Sequence, residues 1–284
     1  TGLLKHRRYL LLLPVLILWP QRKVLQDNFK LTVLDVGMGT SIVIQTPHHS
    51  LVYDFGPGNK RGFSLGEWVV LPYLHHQGIA LPDRIVLSHS DQDHVGGLYS
   101  VQQAFTKSLV LSGTPDDVAD LFPSMNQVMS CHETLPWVWD GVRFEFLSAA
   151  VKPSDSDNNR SCVLRITAAK TSILISGDIE ARQELNLLSA MKNSLAADIL
   201  IAPHHGSLSS SSSDFIQAVG ARHVVFTSGF LNRWGFPRVE VINRYRQIGA
   251  LTYRTDELGA IEIECHTQGC ELIPYRQQHP RLWY

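Results

Sequence analysis

In the run Leu87-Ser88-His89-Ser90-Asp91-Gln92-Asp93-His94-Val95-Gly96-Gly97, two histidines and two aspartates fall within six positions. In an extended segment His89, Asp91 and Asp93 point the same way, because strand side chains alternate. His94 joins them where the chain turns. Carboxylates crowded together repel one another unless a cation sits between them. Imidazole and carboxylate are both good donors to divalent transition metals. Folding alone has no use for four chelating side chains at one place; a metal site does. Gly96 and Gly97 allow close packing beneath the turn.

The elements that deliver these residues can be read from the same stretch. Arg84-Ile85-Val86-Leu87 is an apolar strand, and a helix is expected from near Gly97. Two later apolar strands also end in potential ligands. Ser172 to Ser176 runs into Gly177-Asp178, and Ile199-Leu200-Ile201 runs into Ala202-Pro203-His204-His205-Gly206-Ser207. Ligands at successive strand ends would meet on one rim of a sheet. His48-His49 and His75-His76 read as solvated surface pairs. Short hairpins open the chain, and Ala260 to Glu264 with Glu271 to Tyr275 closes it as another. Helices are expected over Leu65 to Leu74, interrupted by Pro72, and over Leu98 to Phe105, Glu180 to Ala190, Val239 to Gln247 and from Asp214. Two β-rich halves, each with helices, predict one layered α/β sandwich with mixed sheets.

With 284 residues, 44% of them hydrophobic and 18% charged, the chain can bury a substantial core. The formal net charge of -1 excludes a global basic field for nucleic acid, so a polyanion would need a local patch or a metal. Lys5-His6-Arg7-Arg8 precedes an apolar run from Tyr9 to Pro20, shorter than the roughly 20 residues that span a bilayer. Residues 1–24 are therefore expected to be the end of a transmembrane helix or a linker, with a buried terminal helix as the alternative, and residues 25–284 the folded domain. The basic flank comes first, which would put residues 21 onward outside the cytoplasm. Four cysteines, Cys131, Cys162, Cys265 and Cys270, lack a zinc-type CxxC spacing. In an oxidising compartment they could form two disulfides, and a cross-link across the Thr267-Gln268-Gly269 turn is sterically reasonable.

His-x-Asp-x-Asp-His-x-Gly-Gly, with Gly-Asp and Pro-His-His-Gly-Ser downstream, resembles the metallo-β-lactamase superfamily. Leu34-Asp35-Val36-Gly37-x-Gly39, Trp137-x-Trp139-Asp140-Gly141-Val142, Asn158-Asn159-x-Ser161-Cys162, Ser176-Gly177-Asp178-Ile179-Glu180 and Arg254-Thr255-Asp256-x-x-Gly259 more narrowly resemble the C-terminal domain of ComEC competence channel proteins. That resemblance implies an αββα sandwich, two mixed sheets flanked by helices. It further implies two divalent metal ions and a deoxyribonuclease that degrades the non-imported strand during DNA uptake. The implied setting is the extracytoplasmic (periplasmic) side of the bacterial inner membrane. The implied partners are single-stranded DNA, the channel portion of the same full-length protein and the uptake machinery.

Matched by position, His89 and Asp91 would bind one metal, Asp93 and His94 the second, and Asp178 would bridge them. His204 is preferred to His205 for the remaining ligand. Asp35, Asp54, Asn159 and His205 stand as surrounding groups or alternative ligands. Asp91 occupies a position where the superfamily usually has histidine, so the donor set favours Mn²⁺, with Zn²⁺ as the other choice. Asp93 and Asp178 are the candidate catalytic carboxylates. Ser207, Ser209 and Ser210 could offer donors to a phosphate, aided by the helix start at Asp214. Arg233, Arg238, Arg244, Arg246 and Arg254, interleaved with Trp234, Phe236, Tyr245 and Tyr253, form a candidate strand-binding surface. The bland reading of that stretch is a helix with Val241 and Tyr245 in the core and the arginines solvated. Met38, Thr40, Phe236 and Arg238 depart from the ComEC pattern in two loops. A small-molecule phosphodiesterase and a non-catalytic DNA-binding module are the competing functions.

Overall fold

Short runs rich in β-branched residues build two sheets; central strands such as Ser50–Tyr53 and Ile199–Ile201 are buried on both faces, while Leu164–Ala168 alternates buried with half-buried residues. The computed structural model describes residues 28–280 apart from Asn126, Ala150 and Pro153. The expected membrane-helix end at residues 1–24 lies outside the described residues. Among those described, no helix is long and apolar enough to cross a membrane.

The first sheet contains β1 (Phe29–Val33), β2 (Ile42–Gln45), β3 (Ser50–Tyr53), β4 (Arg84–Leu87), β5 (Leu109–Ser112) and β6 (Val128–Ser130). The second contains β7 (Trp137–Trp139), β8 (Val142–Phe146), β9 (Leu164–Ala168), β10 (Thr171–Ile175), β11 (Ile199–Ile201), β12 (His223–Phe226) and β13 (Leu251–Arg254). The closing hairpin, β14 (Ile261–His266) and β15 (Gly269–Pro274), returns to the first sheet, where β14 pairs antiparallel with β1. Strand orders are β15-β14-β1-β2-β3-β4-β5-β6 and β13-β12-β11-β10-β9-β8-β7. Each sheet is antiparallel in one half and parallel in the other, β3 through β6 in the first and β10 through β13 in the second.

Three apolar layers hold this together. Leu31, Ile44, Tyr53 and Val86 of the first sheet meet Phe144, Ile166, Ile173 and Ile201 of the second. Outside the second sheet, Leu174, Leu200 and Val224 pack on Leu187, Phe215 and Tyr245 of α5 (Ala181–Met191), α6 (Ser213–Val219) and α7 (Val239–Gln247). Outside the first, Val52, Ile85 and Val110 pack on α1 (Leu71–His76), α3 (Leu98–Val101) and α4 (Pro115–Leu121) through Leu74, Leu98 and Val118. The layers are helix, sheet, sheet, helix. Burying each such side chain contributes about 1.5–3 kcal/mol. Pro72 sits in the first turn of α1, where its missing N–H is harmless, so helical backbone runs through the expected interruption from Gly66 to His76.

Cys131 and Cys162 are bonded, as are Cys265 and Cys270. The first bridge ties the end of β6 to the approach to β9, one sheet to the other. The second joins directly opposed residues of the closing hairpin.

Candidate metal centre

Parallel strands gather functional groups at their carboxyl ends, and here both sheets do so at their common edge. From the first sheet, Asp54 follows β3 and the histidine–aspartate run follows β4. From the second, Asp178 follows β10, the two histidines follow β11 and Thr227 follows β12. The rim expected to belong to one sheet is thus shared by two.

The run is extended only as far as Asp91. Gln92–Val95 already form a helical turn, α2, flanked at its N-terminus by Asp91, ahead of the helix expected from near Gly97, which is α3. Gly96 and Gly97 seat that turn on neighbouring backbone: an added Cβ would lie 2.5 Å from Gly58 N and 2.1 Å from the Phe55 carbonyl oxygen, respectively. One consequence is that Asp93 and His94 point inward while the Asp91 side chain stays 52% exposed.

Donor atoms of Asp93, His94, Asp178 and His205 all lie within 4.8 Å of one another. Asp178 Oδ1 is 3.2 Å from His94 Nε2, and its Oδ2 is 3.3 Å from His205 Nε2. Asp93 Oδ2 is 3.3 Å from His205 Nε2. Each inward imidazole is aimed by a bond on its far side. His94 Nδ1–H donates to Asp54 Oδ2 at 2.7 Å, and His205 Nδ1–H donates to the Thr227 carbonyl at 2.8 Å. With that proton committed, Nε2 faces the centre, the arrangement by which proteins orient metal-binding histidines. Asp54 is itself fully buried and fixed by the Ser88 amide and hydroxyl, both at 2.7 Å. Gly177, at φ 55°, brings Asp178 against Ser161; an added Cβ there would lie 2.8 Å from the Ser161 Cβ.

His89 adds a further donor. Its ring is buried, its Nδ1 lies 2.9 Å from Ser88 Oγ, and its Nε2 makes no hydrogen bond among the described residues. Asp91 Oδ2 is 3.5 Å from that nitrogen. A buried imidazole nitrogen with no hydrogen bond is costly unless something else occupies its lone pair. This orphaned atom and the mixed nitrogen–oxygen donor set fit divalent cations.

Electrostatics follow the geometry. Burial raises the Asp178 carboxyl, but the charges of His205 and His94 outweigh it and hold it well below the ordinary range. Burial would lower His205, yet Asp178 and Asp93 push it up to about 9; His94 is raised for the same reason.

His204, preferred from the sequence, is outside the four-donor cluster. His204, His205 and Gly206 all have positive φ, at 48°, 53° and 85°. That turn sends His205 inward and leaves His204 at the mouth, its Nδ1 3.1 Å from Ser209 Oγ and its Nε2 3.9 Å from Asp178. Burial moves His204 downward in pKa, opposite to its neighbour.

Other expected residues are placed elsewhere. Asp35 accepts from Arg276 at 3.2 Å, remote in its contacts from the four donors. Asn159 is spent on Ser156 and on the Glu180 amide. Ser210 is buried with its hydroxyl on the Pro203 and Ser207 carbonyls, and Ser207 bonds Ser209. The helix after the serine loop starts at Ser213, capped by Ser212 rather than Asp214. The Ser211 and Ser212 amides that a phosphate would use already donate to the buried Glu184 carboxylate. Along the arginine-rich stretch, Val241 and Tyr245 are core, Arg254 is paired with Asp256 and Glu257, and Arg244 donates to the Ser211 carbonyl. Arg233 and Arg238 remain exposed, over Trp234 and Phe236. Ser88 and Thr227 went unnoticed in the sequence. Their position at the carboxyl ends of parallel strands is the signal that marks them.

Residues 34–226 match the family model described as "Metallo-beta-lactamase superfamily". The chain belongs to the metallo-β-lactamase superfamily. Among solved metallo-β-lactamase folds, YhfI of Bacillus subtilis superposes with TM-score 0.57 at 13% identity, covering 84% of this chain and 99% of that one, a likeness of fold alone. Closer in sequence is the competence protein ComA of Neisseria gonorrhoeae, 32% identical over 89% of this chain and 35% of the relative. Recombination protein 2 of Haemophilus influenzae is 28% identical over 93% of this chain and 32% of the relative. The chain spans about a third of the length of these curated relatives. Within the superfamily, the hydrolase fold and the donor cluster together make this edge the candidate site for divalent metal ions.

Proposed function

We infer that the domain is a binuclear metal-dependent phosphodiesterase that cuts DNA, in the setting of DNA uptake. The observation that carries the reading is the convergence of Asp93, His94, Asp178 and His205, with the unbonded His89 Nε2 beside them. His94, His205, Asp93 and Asp178 would hold one cation, and His89 and Asp91, sharing Asp178, a second. Divalent ions bound there would supply Lewis-acid polarisation of a phosphoryl oxygen and a water of lowered pKa. Mn²⁺ is favoured over Zn²⁺ by the carboxylates among the donors. Competence relatives support DNA as substrate. The two disulfides suit an oxidising, extracytoplasmic compartment, and the resemblance to ComEC channel proteins adds the inner membrane to the proposal.

The chain's own residues have distinct tasks. Asp178 faces His94 through one oxygen and His205 through the other, and would be the carboxylate shared between the two cations. Asp54 and the Thr227 carbonyl hold the imidazoles in the orientation that presents Nε2. Asp93, one-third exposed, is the inward carboxylate that a substrate at the mouth can reach, and so the group placed to accept a proton.

End-labelled single-stranded DNA with Mn²⁺ tests the reading. Cleavage by the wild type that disappears in Asp178→Ala is expected. Turnover of a small diester with DNA neither cut nor competing would replace it with the small-molecule reading, and inactivity with every divalent cation would reject it.

A further inference from the structure

Beside Asp93 the surface opens into a groove of about 750 Å³ that shares only that residue with the proposed metal donors. Its walls come from three loops and include Met38, Asn59, Phe63, Arg233 and Trp234, with Asp93 the only acid among the described lining residues. The loops are packed together at their bases: an added Cβ on Gly229 would sit 2.5 Å from the Met38 amide nitrogen, and one on Gly39 2.9 Å from Pro57 Cδ. The arms are therefore fixed, and only their tips face outward.

Two large aromatic rings are exposed in this groove, each at 42%. Phe63 is braced edge-on by Trp68 at 5.4 Å, and Trp234 has the Arg233 guanidinium over its ring at 4.2 Å. Phe63 and Trp234 line the same groove, and exposed aromatic surface gathered at one place rather than scattered singly marks an interaction site. Cations accompany them: Arg233 on one wall, and exposed Lys60 and Arg61 on the loop that carries Phe63.

We propose that this groove is the strand-holding subsite of the reaction, in which a nucleobase of single-stranded nucleic acid stacks on Trp234 while Arg233 takes the adjoining phosphate. The assignment rests on the phosphodiesterase reading and adds to it which surface grips the strand and by what chemistry. Aromatic rings accept any base by its π-face, and a guanidinium beside the ring adds the phosphate contact. A duplex buries its base faces against neighbouring pairs and would have to be unstacked first. The volume is that of a site for a small ligand or one or two residues of a strand. Asp93 forms the end nearest the metal donors, so a strand gripped by Trp234 runs on into the centre.

Metal-loaded protein titrated by fluorescence anisotropy against a phosphorothioate oligothymidylate, and against an abasic strand of the same length and charge, tests the proposal without relying on turnover. The wild type should prefer the base-bearing strand, and Trp234→Ala should weaken that binding by about five- to a hundredfold while leaving the abasic strand unchanged. Phe63→Ala should reduce the same preference, and Arg233→Ala should weaken both strands and flatten the salt dependence. Equal affinity of wild type and Trp234→Ala for the base-bearing strand would overturn the proposal, as would equal affinity of the wild type for both strands. Should ordinary DNA resist cleavage while these differences persist, the hydrolytic reading fails and the subsite stands.

Discussion

At the scale of single residues, the roles divide by which side of an imidazole is already occupied. His94 and His205 have Nδ1 committed to Asp54 and Thr227, so their Nε2 atoms face the donor cluster; His204 spends Nδ1 on Ser209 and stands outside it. His205→Ala should therefore lower cation affinity at least tenfold in isothermal titration, whereas His204→Ala should keep the wild-type stoichiometry. Asp54→Asn, which leaves the ring in place but weakens its orienting partner, should lower affinity by about 10–100-fold. Proton release gives a second check. The cation-free His205 is raised to about 9 by Asp178 and Asp93, so it carries a proton at neutral pH that a cation must displace. Affinity should thus climb as pH rises toward about 9, and titrations in buffers of different ionisation enthalpy should report net proton release. In the cation-free protein the raised His205 stabilises the fold below its unfolded value, and this is lost as pH rises through about 9. The depressed Asp178 does the reverse: its contribution is present above its unfolded value and lost as pH falls.

Secondary-structure elements show what a sequence can and cannot disclose. The three strands ending in ligands were legible because apolar runs followed by chelating residues are a local pattern, and β4, β10 and β11 lie where that pattern puts them. The choice between His204 and His205 was not legible. It is made by two consecutive positive φ angles, a backbone property with no marker except the glycine that follows. The return of β14 to pair with β1 was equally hidden, since pairing across more than 200 positions leaves no local periodicity. The serine loop looked free to bind phosphate because Glu184, which occupies its amides, is far away in sequence. The disulfides give the elements a measurable scale. Bridging 31 positions, Cys131–Cys162 should contribute about 3–4 kcal/mol by loop-closure entropy, and Cys265–Cys270, across 5, about 2 kcal/mol. Chemical denaturation of the two paired Cys→Ala variants should show that order.

For the whole molecule, two sheets each carry a parallel half, and packing them face to face brings the carboxyl ends of both halves to one edge. No single sheet owns the site, so its integrity reports on the sandwich as a whole. Leu200→Ala, which empties the outer layer behind β11, should cost about 2–5 kcal/mol and displace the strand that presents His205. With a formal charge of only -1, the proposed DNA binding would rest on the cations of one groove and on the metal centre rather than on a global field. The proposed function thus depends on cations at that edge. Elemental analysis of protein dialysed against Mn²⁺ or Zn²⁺ is the decisive measurement. About two equivalents per chain are expected, falling by at least one in Asp178→Ala with the fold intact by circular dichroism. A wild-type chain that retains no divalent cation would contradict the assignment of this edge as a metal centre.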